Sequence, residues 1–256
     1  MALDLQKISG LPISFDLKSL KLEFQGDFPS IKKSERSLGE LRPYLKNPEA
    51  KNGPDPVYYI WHYVHLKKDD EKIKAANLRY DLTLISPGTI DGEFTKTAGH
   101  CHLLYPEILE VLTGRAYFLI QSFKDEKDFK NIKSVYLIEA SPGEKFVVPP
   151  GFGHNIINVF NEPLLTANLV SEKATHDYGP YKNNHGASYY FLDNGNLIDI
   201  VKNPNYDSVP EIKKIRVKER PEFGLTKDRP LYGLVNNLDK LRFLNYPEEF
   251  KKELNF

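Results

Sequence analysis

Two histidines stand two residues apart in the run Thr97-Ala-Gly-His100-Cys-His102-Leu-Leu-Tyr-Pro-Glu107, with a carboxylate five residues further on. A third lies in Gly143-Glu-Lys-Phe-Val-Val-Pro149-Pro-Gly151-Phe-Gly-His154-Asn-Ile-Ile-Asn158. In an extended strand, residues two apart share a face, so His100 and His102 project together and Cys101 turns the other way, toward the body of the sheet. Three imidazole nitrogens and one carboxylate oxygen at about 2.0–2.2 Å suit zinc, iron, nickel or manganese and leave room for water or substrate. A His-x-His pair alone is common on strand surfaces. The Glu107 and Gly114 that follow it, and the glycine and proline spacing around His154, favour one divalent ion per chain. The other histidines include His62, His65 and His185, whose spacing recruits them to nothing; they read as structural or surface residues.

These side chains need strands to carry them, and the chain between Pro56 and about Val170 supplies many. Val57–Val64, Leu78–Ile85, Glu93–Thr97, Glu107–Leu112, Ala116–Ser122, Ser134–Glu139, Lys145–Val148, Asn155–Phe160 and Leu164–Val170 are short aromatic or β-branched runs. Turn signals such as Ser86-Pro-Gly, Asp91-Gly, Ser141-Pro-Gly and Asn161-Glu-Pro separate them, a pattern of antiparallel sandwiches and barrels. The charged stretch Lys124–Asp128 reads as a hairpin tip. A further hairpin is expected at Ser188–Val201, around Asp193-Asn-Gly-Asn. The stretch from Ser34 to Leu45 reads as a short helix or irregular turn, and Tyr246 to Leu254 as a short terminal helix with Pro near its first turn, early acids and late lysines. The expected fold is mainly all-β, a barrel with short peripheral helices. Its parts are an N-terminal arm at 1–55, the barrel with its last hairpin at 56–201 and a C-terminal extension at 202–256.

Composition narrows the function classes. Thirty-five basic and thirty-five acidic residues leave no formal net charge, against a nucleic-acid binder with its basic excess and against a polybasic membrane clamp. One cysteine excludes an internal disulfide framework. The first residues show no basic stretch leading into an apolar core, and no apolar run approaches the ~20 residues of a membrane span, so a soluble, cytoplasmic protein is expected.

His100-x-His102-x4-Glu107-x6-Gly114 and Gly143-x5-Pro149-x-Gly151-x2-His154-x3-Asn158 resemble the two motifs of the cupin superfamily, a small β-barrel of jelly-roll type. The second motif matches at every defined position. The first carries Phe94 where a glycine commonly stands. Further segments narrow the likeness: Lys32-Lys-Ser-Glu-Arg-Ser-Leu, Asp55-Pro-Val-Tyr-Tyr, Leu82-Thr-Leu-Ile-Ser-Pro-Gly and Thr175-His-Asp-Tyr-Gly179. In this order they resemble the cupin-type glucose-6-phosphate isomerases, over about residues 32–201. Leu109 stands where that family often has an aromatic residue, and Val170 at best matches a common tyrosine.

The resemblance implies metal ligands His100, His102, Glu107 and His154, with ferrous iron first and Mn2+, Ni2+ or Zn2+ as the other choices. Glu110 is a rival carboxylate. The step to Gly114 favours Glu107, and alternation turns residue 110 to the other face, as an exposed residue or one behind the ligands. The resemblance also implies sugar-phosphate contacts at Thr83, Thr97 and Gly99, with Tyr59 and Tyr178 nearby, His176 and Tyr178 at the barrel mouth, and a homodimer. The implied reaction interconverts glucose 6-phosphate and fructose 6-phosphate. It runs through an enediolate, with Glu107 as base, or by a hydride shift. The competing readings are a metal-dependent cupin dioxygenase and a sugar-phosphate-binding cupin without turnover.

Overall fold

The computed structural model describes residues 2–125, 127–195 and 197–254. Aromatic and β-branched residues fit a pleated, half-buried surface, and the expected runs form strands: Tyr58–His62, Leu78–Ile85, Glu93–Lys96, Glu107–Thr113, Lys145–Val148, Phe152–Asn158 and Leu164–Ser171. Ala116–Asp125 and Asp128–Ala140 pair antiparallel as one long hairpin, with the charge cluster at its tip; Glu126 lies outside the described residues. Tyr189–Asp193 and Ile198–Lys202 form the expected second hairpin; Asn196, which the sequence assigns to its turn, is also outside the described residues.

Beside a three-stranded N-terminal sheet of Ala2–Asp4, Ile13–Asp16 and Lys21–Phe24, the strands make two larger curled sheets. In the six-stranded sheet the order is Lys145–Val148, Glu107–Thr113, Leu164–Ser171, Leu78–Ile85, Tyr58–His62 and Lys32–Arg36, antiparallel throughout. A second sheet runs from the late hairpin through Glu93–Lys96, Phe152–Asn158 and the long hairpin to Lys213–Arg216, and His100–His102 pairs with Phe152–Asn158. The fold is therefore mainly β and of the barrel type expected. Strands Lys32–Arg36 and Lys213–Arg216 come from beyond residues 56–201, so both flanks contribute to the sheets.

One apolar core fills the barrel, where Leu109, Val111, Phe146 and Val148 of the first sheet meet Phe118, Ile138 and Ile156 of the second. A second core lies on the outer face of the six-stranded sheet. There Tyr80, Leu82, Leu84, Ile108 and Leu169 pack with Leu11 and Phe15 from the N-terminus and with Leu231, Leu234, Phe243 and Leu244 from the extension. The extension is thus the cover of a sheet face that would otherwise meet water. It does this with short 3-10 turns at Leu231–Asn236, Leu238–Leu244 and Pro247–Phe250. The expected terminal helix is only the last of these, since a piece this short gains little from helix propagation. At the other end, Ser37 and Glu40 form a reciprocal capping box that starts the short helix Leu38–Leu41. Among the described residues, no helix is long and apolar enough to cross a membrane.

Glu110 corrects one expectation. It is neither exposed nor behind the ligands, but 1 % exposed on the outer face. Its carboxylate meets the Lys145 ammonium at 3.1 Å and accepts the Leu231 N–H at 3.1 Å, while Lys145 donates to the carbonyls of Gly143 and Thr226 at 2.6 and 2.7 Å. Burial pushes the Glu110 carboxyl up to about 7, against the pull of Lys145. The pair fastens the extension to the barrel wall. Lys145→Met strands a buried carboxylate and is expected to cost ~3–5 kcal/mol in denaturant unfolding; a loss below about 1 kcal/mol would show that the pair does not hold the extension.

Candidate active site

Strand geometry delivers the ligand candidates to one point. His100 and His102 share the cavity face of their short strand, and His154 stands directly opposite His100 in the antiparallel register. Glu107 opens its strand on the facing sheet. The His100 and His102 Nε2 atoms are 2.9 Å apart, His102 Nε2 is 3.0 Å from Glu107 Oε2, and His154 Nε2 is 3.2 Å from the same oxygen. His100 Nε2 lies 3.9 Å from it. Ligands sharing one ion at about 2.1 Å stand ~3.0–3.4 Å from each other at tetrahedral or octahedral angles; three of the four distances are close to this range and only the His100–Glu107 one is wider, an arrangement compatible with a single divalent ion. The Nδ1 atoms of His102 and His154 are buried without a partner among the described residues. Cys101 points away, 1 % exposed in the barrel core, and burial pushes its thiol up.

Electrostatics keeps the donors ready. Burial, with Glu107 opposing, holds His154 down at about 4. Burial and the neighbouring His102 hold His176 at about 4, and burial with His102 and His154 lowers His100 well below the ordinary imidazole range. These rings are neutral at physiological pH, with lone pairs free to ligate. Burial alone would raise Glu107; His154 and the His102 hydrogen bond outweigh it and hold the carboxyl down at about 2.

The site opens into a cavity of about 250 Å3 lined by both sheets. Thr83, Thr97, Gly99, His176 and Tyr178 line it with His100, Glu107 and His154. His176 stands closer to the imidazoles than a mouth residue need be: its ring centroid is 4.6 Å from that of His100 and 4.7 Å from that of His102. His100, His102 and His176 also bring one ring nitrogen each within 4.8 Å of one another, a second grouping with the donors for a metal ion. Gly99 has φ +77°, and a Cβ there would fall 2.5 Å from the Tyr181 ring, so only glycine lets the chain pass between Tyr181 and the cavity.

Tyr59 does not line the cavity. It faces the outer side of the sheet, its ring tilted against that of Trp61 under the Lys33 ammonium. Its neighbour Tyr58 lines the cavity together with Ile60 and His62, because alternate residues of Tyr58–His62 point inward. His62 is likewise more than a surface residue, since its Nδ1 lies 3.0 Å from the buried Asp81 carboxylate. Arg36, Arg79 and Asp81 also line the cavity and were not singled out by spacing. Thr83 carried the one available signal: stepping back from it in twos along the same strand reaches Asp81 and Arg79.

A mainly β barrel with three histidines and a glutamate converging inside its mouth is a cupin-type protein. A family model for Glucose-6-phosphate isomerase (GPI) matches residues 35–211, well over half of the chain, and the chain belongs to that family. The glucose-6-phosphate isomerase of Thermococcus gammatolerans is 29% identical over 186 residues, covering 71% of this chain and 91% of that protein. That of Pyrococcus furiosus is 28% identical over 194 residues, covering 73% and 95%. Among solved structures, an oxalate oxidase overlaps with a TM-score of 0.35 at 16% identity, covering 60% of this chain and 59% of its own, too little to bear on function.

Proposed function

We propose that the chain is a metal-dependent aldose–ketose isomerase that interconverts glucose 6-phosphate and fructose 6-phosphate. The observation that carries this is the convergence of three imidazoles on one carboxylate oxygen at the wall of a small polar cavity, in a chain of this family. His100, His102, Glu107 and His154 would hold one divalent ion, ferrous iron being the first choice, which supplies the electrophile for the substrate's carbonyl and hydroxyl oxygens. Glu107 is the group that takes the proton at C2 and returns it at C1. The imidazole contacts above all fall on its Oε2, so Oε1 carries none of them. Thr83, Thr97, Gly99 and Tyr178 would position the sugar phosphate, and His176, between the ligands and the cavity, would orient its reacting end. Formation of fructose 6-phosphate from glucose 6-phosphate without oxygen uptake tests the reading against the dioxygenase alternative.

The lowered imidazole values set a pH dependence. A protonated histidine cannot ligate, and His154 takes its proton only near pH 4 in the metal-free protein. Protonation of His154 is therefore expected to weaken divalent-metal binding only as pH drops toward 4. Titrating the His154 imidazole of the metal-free protein by NMR checks this; a midpoint near pH 6.5 would mean that it keeps its ordinary basicity.

A further inference from the structure

A phosphate monoester carries about −1.5 to −2 charge at pH 7, and Thr83, Thr97 and the Gly99 backbone offer it only neutral donors. Two cationic side chains, Arg36 and Arg79, line the cavity among the described residues. They differ in how far their charge is already spent. Arg79 Nε lies 2.8 Å from Asp81 Oδ2 in a pair with 13% and 3% side-chain exposure. Asp81 also holds His62 and the Tyr63 N–H at 3.0 Å each. The Arg79 charge is matched and its geometry fixed.

Arg36 is arranged differently. Its Nε donates to the neutral phenol of Tyr58 at 3.2 Å. Its nearest carboxylate, Glu40, is 3.9 Å away, more than half exposed, and engaged with the Ser37 N–H and hydroxyl at 2.9 Å each. Nη2 makes no hydrogen bond among the described residues. The Tyr58 oxygen lies 3.5 Å from the Ala98 nitrogen, which places Arg36 one side chain from the Thr97–Gly99 backbone. Arg36 also ends its strand directly before the Ser37 capping box, which pins the backbone from which the guanidinium projects.

We infer that Arg36 binds the substrate phosphate, supplying the more weakly compensated of the two cavity cations at the Thr97–Gly99 end, while Arg79 serves its ion pair with Asp81. This rests on the isomerase reading above. The planar fork of Arg36 can take two phosphate oxygens at once, and loss of such charge-assisted bonds is expected to weaken binding about 10–100-fold.

The test uses metal-loaded Arg36→Met, Arg36→Lys and Arg79→Met, each checked for folding by circular dichroism. Calorimetric titration with glucose 6-phosphate and competitive inhibition by inorganic phosphate are compared with KM and kcat. Arg36→Met is expected to raise KM, the dissociation constant and the phosphate inhibition constant about 10–100-fold, with a much smaller fall in kcat. Arg36→Lys is expected to recover part of the loss. A folded Arg36→Met within twofold of wild type on all three would overturn the assignment, as would a selective loss in Arg79→Met alone. Those outcomes leave the isomerase reading standing; a wild type that neither binds nor turns over sugar phosphates would remove both.

Discussion

Glu107→Gln, loaded with metal to full occupancy, is expected to isomerise sugar phosphate about 10²–10⁴-fold more slowly than wild type, the usual contribution of a positioned general base. Glutamine keeps the size of the side chain and one possible oxygen ligand, but loses the negative charge and nearly all basicity. Three histidines remain, enough to hold an ion in an open site, though more weakly. Occupancy must therefore be confirmed before rates are compared. Exchange of the substrate C2 hydrogen with deuterated water gives the second readout: wild type exchanges and the variant does not. Should the saturated variant turn over like wild type, Glu107 is not the base. Glu110 could not replace it, because it faces the outer core and is paired with Lys145. Hydride transfer between C1 and C2 would then be the better account.

His154→Ala is expected to release the metal. His154 is the ligand candidate contributed by the strand Phe152–Asn158, and its removal leaves only the two histidines and the glutamate of the first motif. Losing even an outer-shell partner of a metal ligand commonly weakens binding about 10–100-fold, so losing a ligand should cost more. Elemental analysis after dialysis against metal levels that saturate wild type should show occupancy well below one ion per chain. Undiminished occupancy in a folded variant would move the site to the alternative cluster of His100, His102 and His176.

Much of this site could be read from spacing because strands alternate. The period of two places His100 with His102, turns Cys101 into the core and separates Glu107 from Glu110, and all three outcomes are seen. Turn chemistry likewise announced the two hairpins. Where alternation carried no contrast, it failed. Val57-Tyr-Tyr-Ile-Trp is apolar on both faces, so nothing local says that Tyr58 rather than Tyr59 turns inward.

Contacts between distant residues were also invisible. His62 gains its meaning from Asp81 on the adjoining strand, and Glu110 from Lys145 and the Leu231 N–H of the extension. The extension itself has no helical period to read, because its 3-10 turns follow the face of a sheet. Leu109 lines the cavity opposite Asn168 of the adjoining strand, an apolar stretch of wall that no spacing announced.

Isomerisation is expected to depend on a metal held at His100, His102, Glu107 and His154. The most direct measurement strips the protein with a chelator, divides it, reloads one portion with ferrous, manganous or zinc ion, and follows fructose 6-phosphate formation from glucose 6-phosphate in both. Turnover is expected in the reloaded portion and none above background in the stripped one. Equal turnover in the two portions, or none in either while metal is bound, would rule out metal-dependent isomerisation.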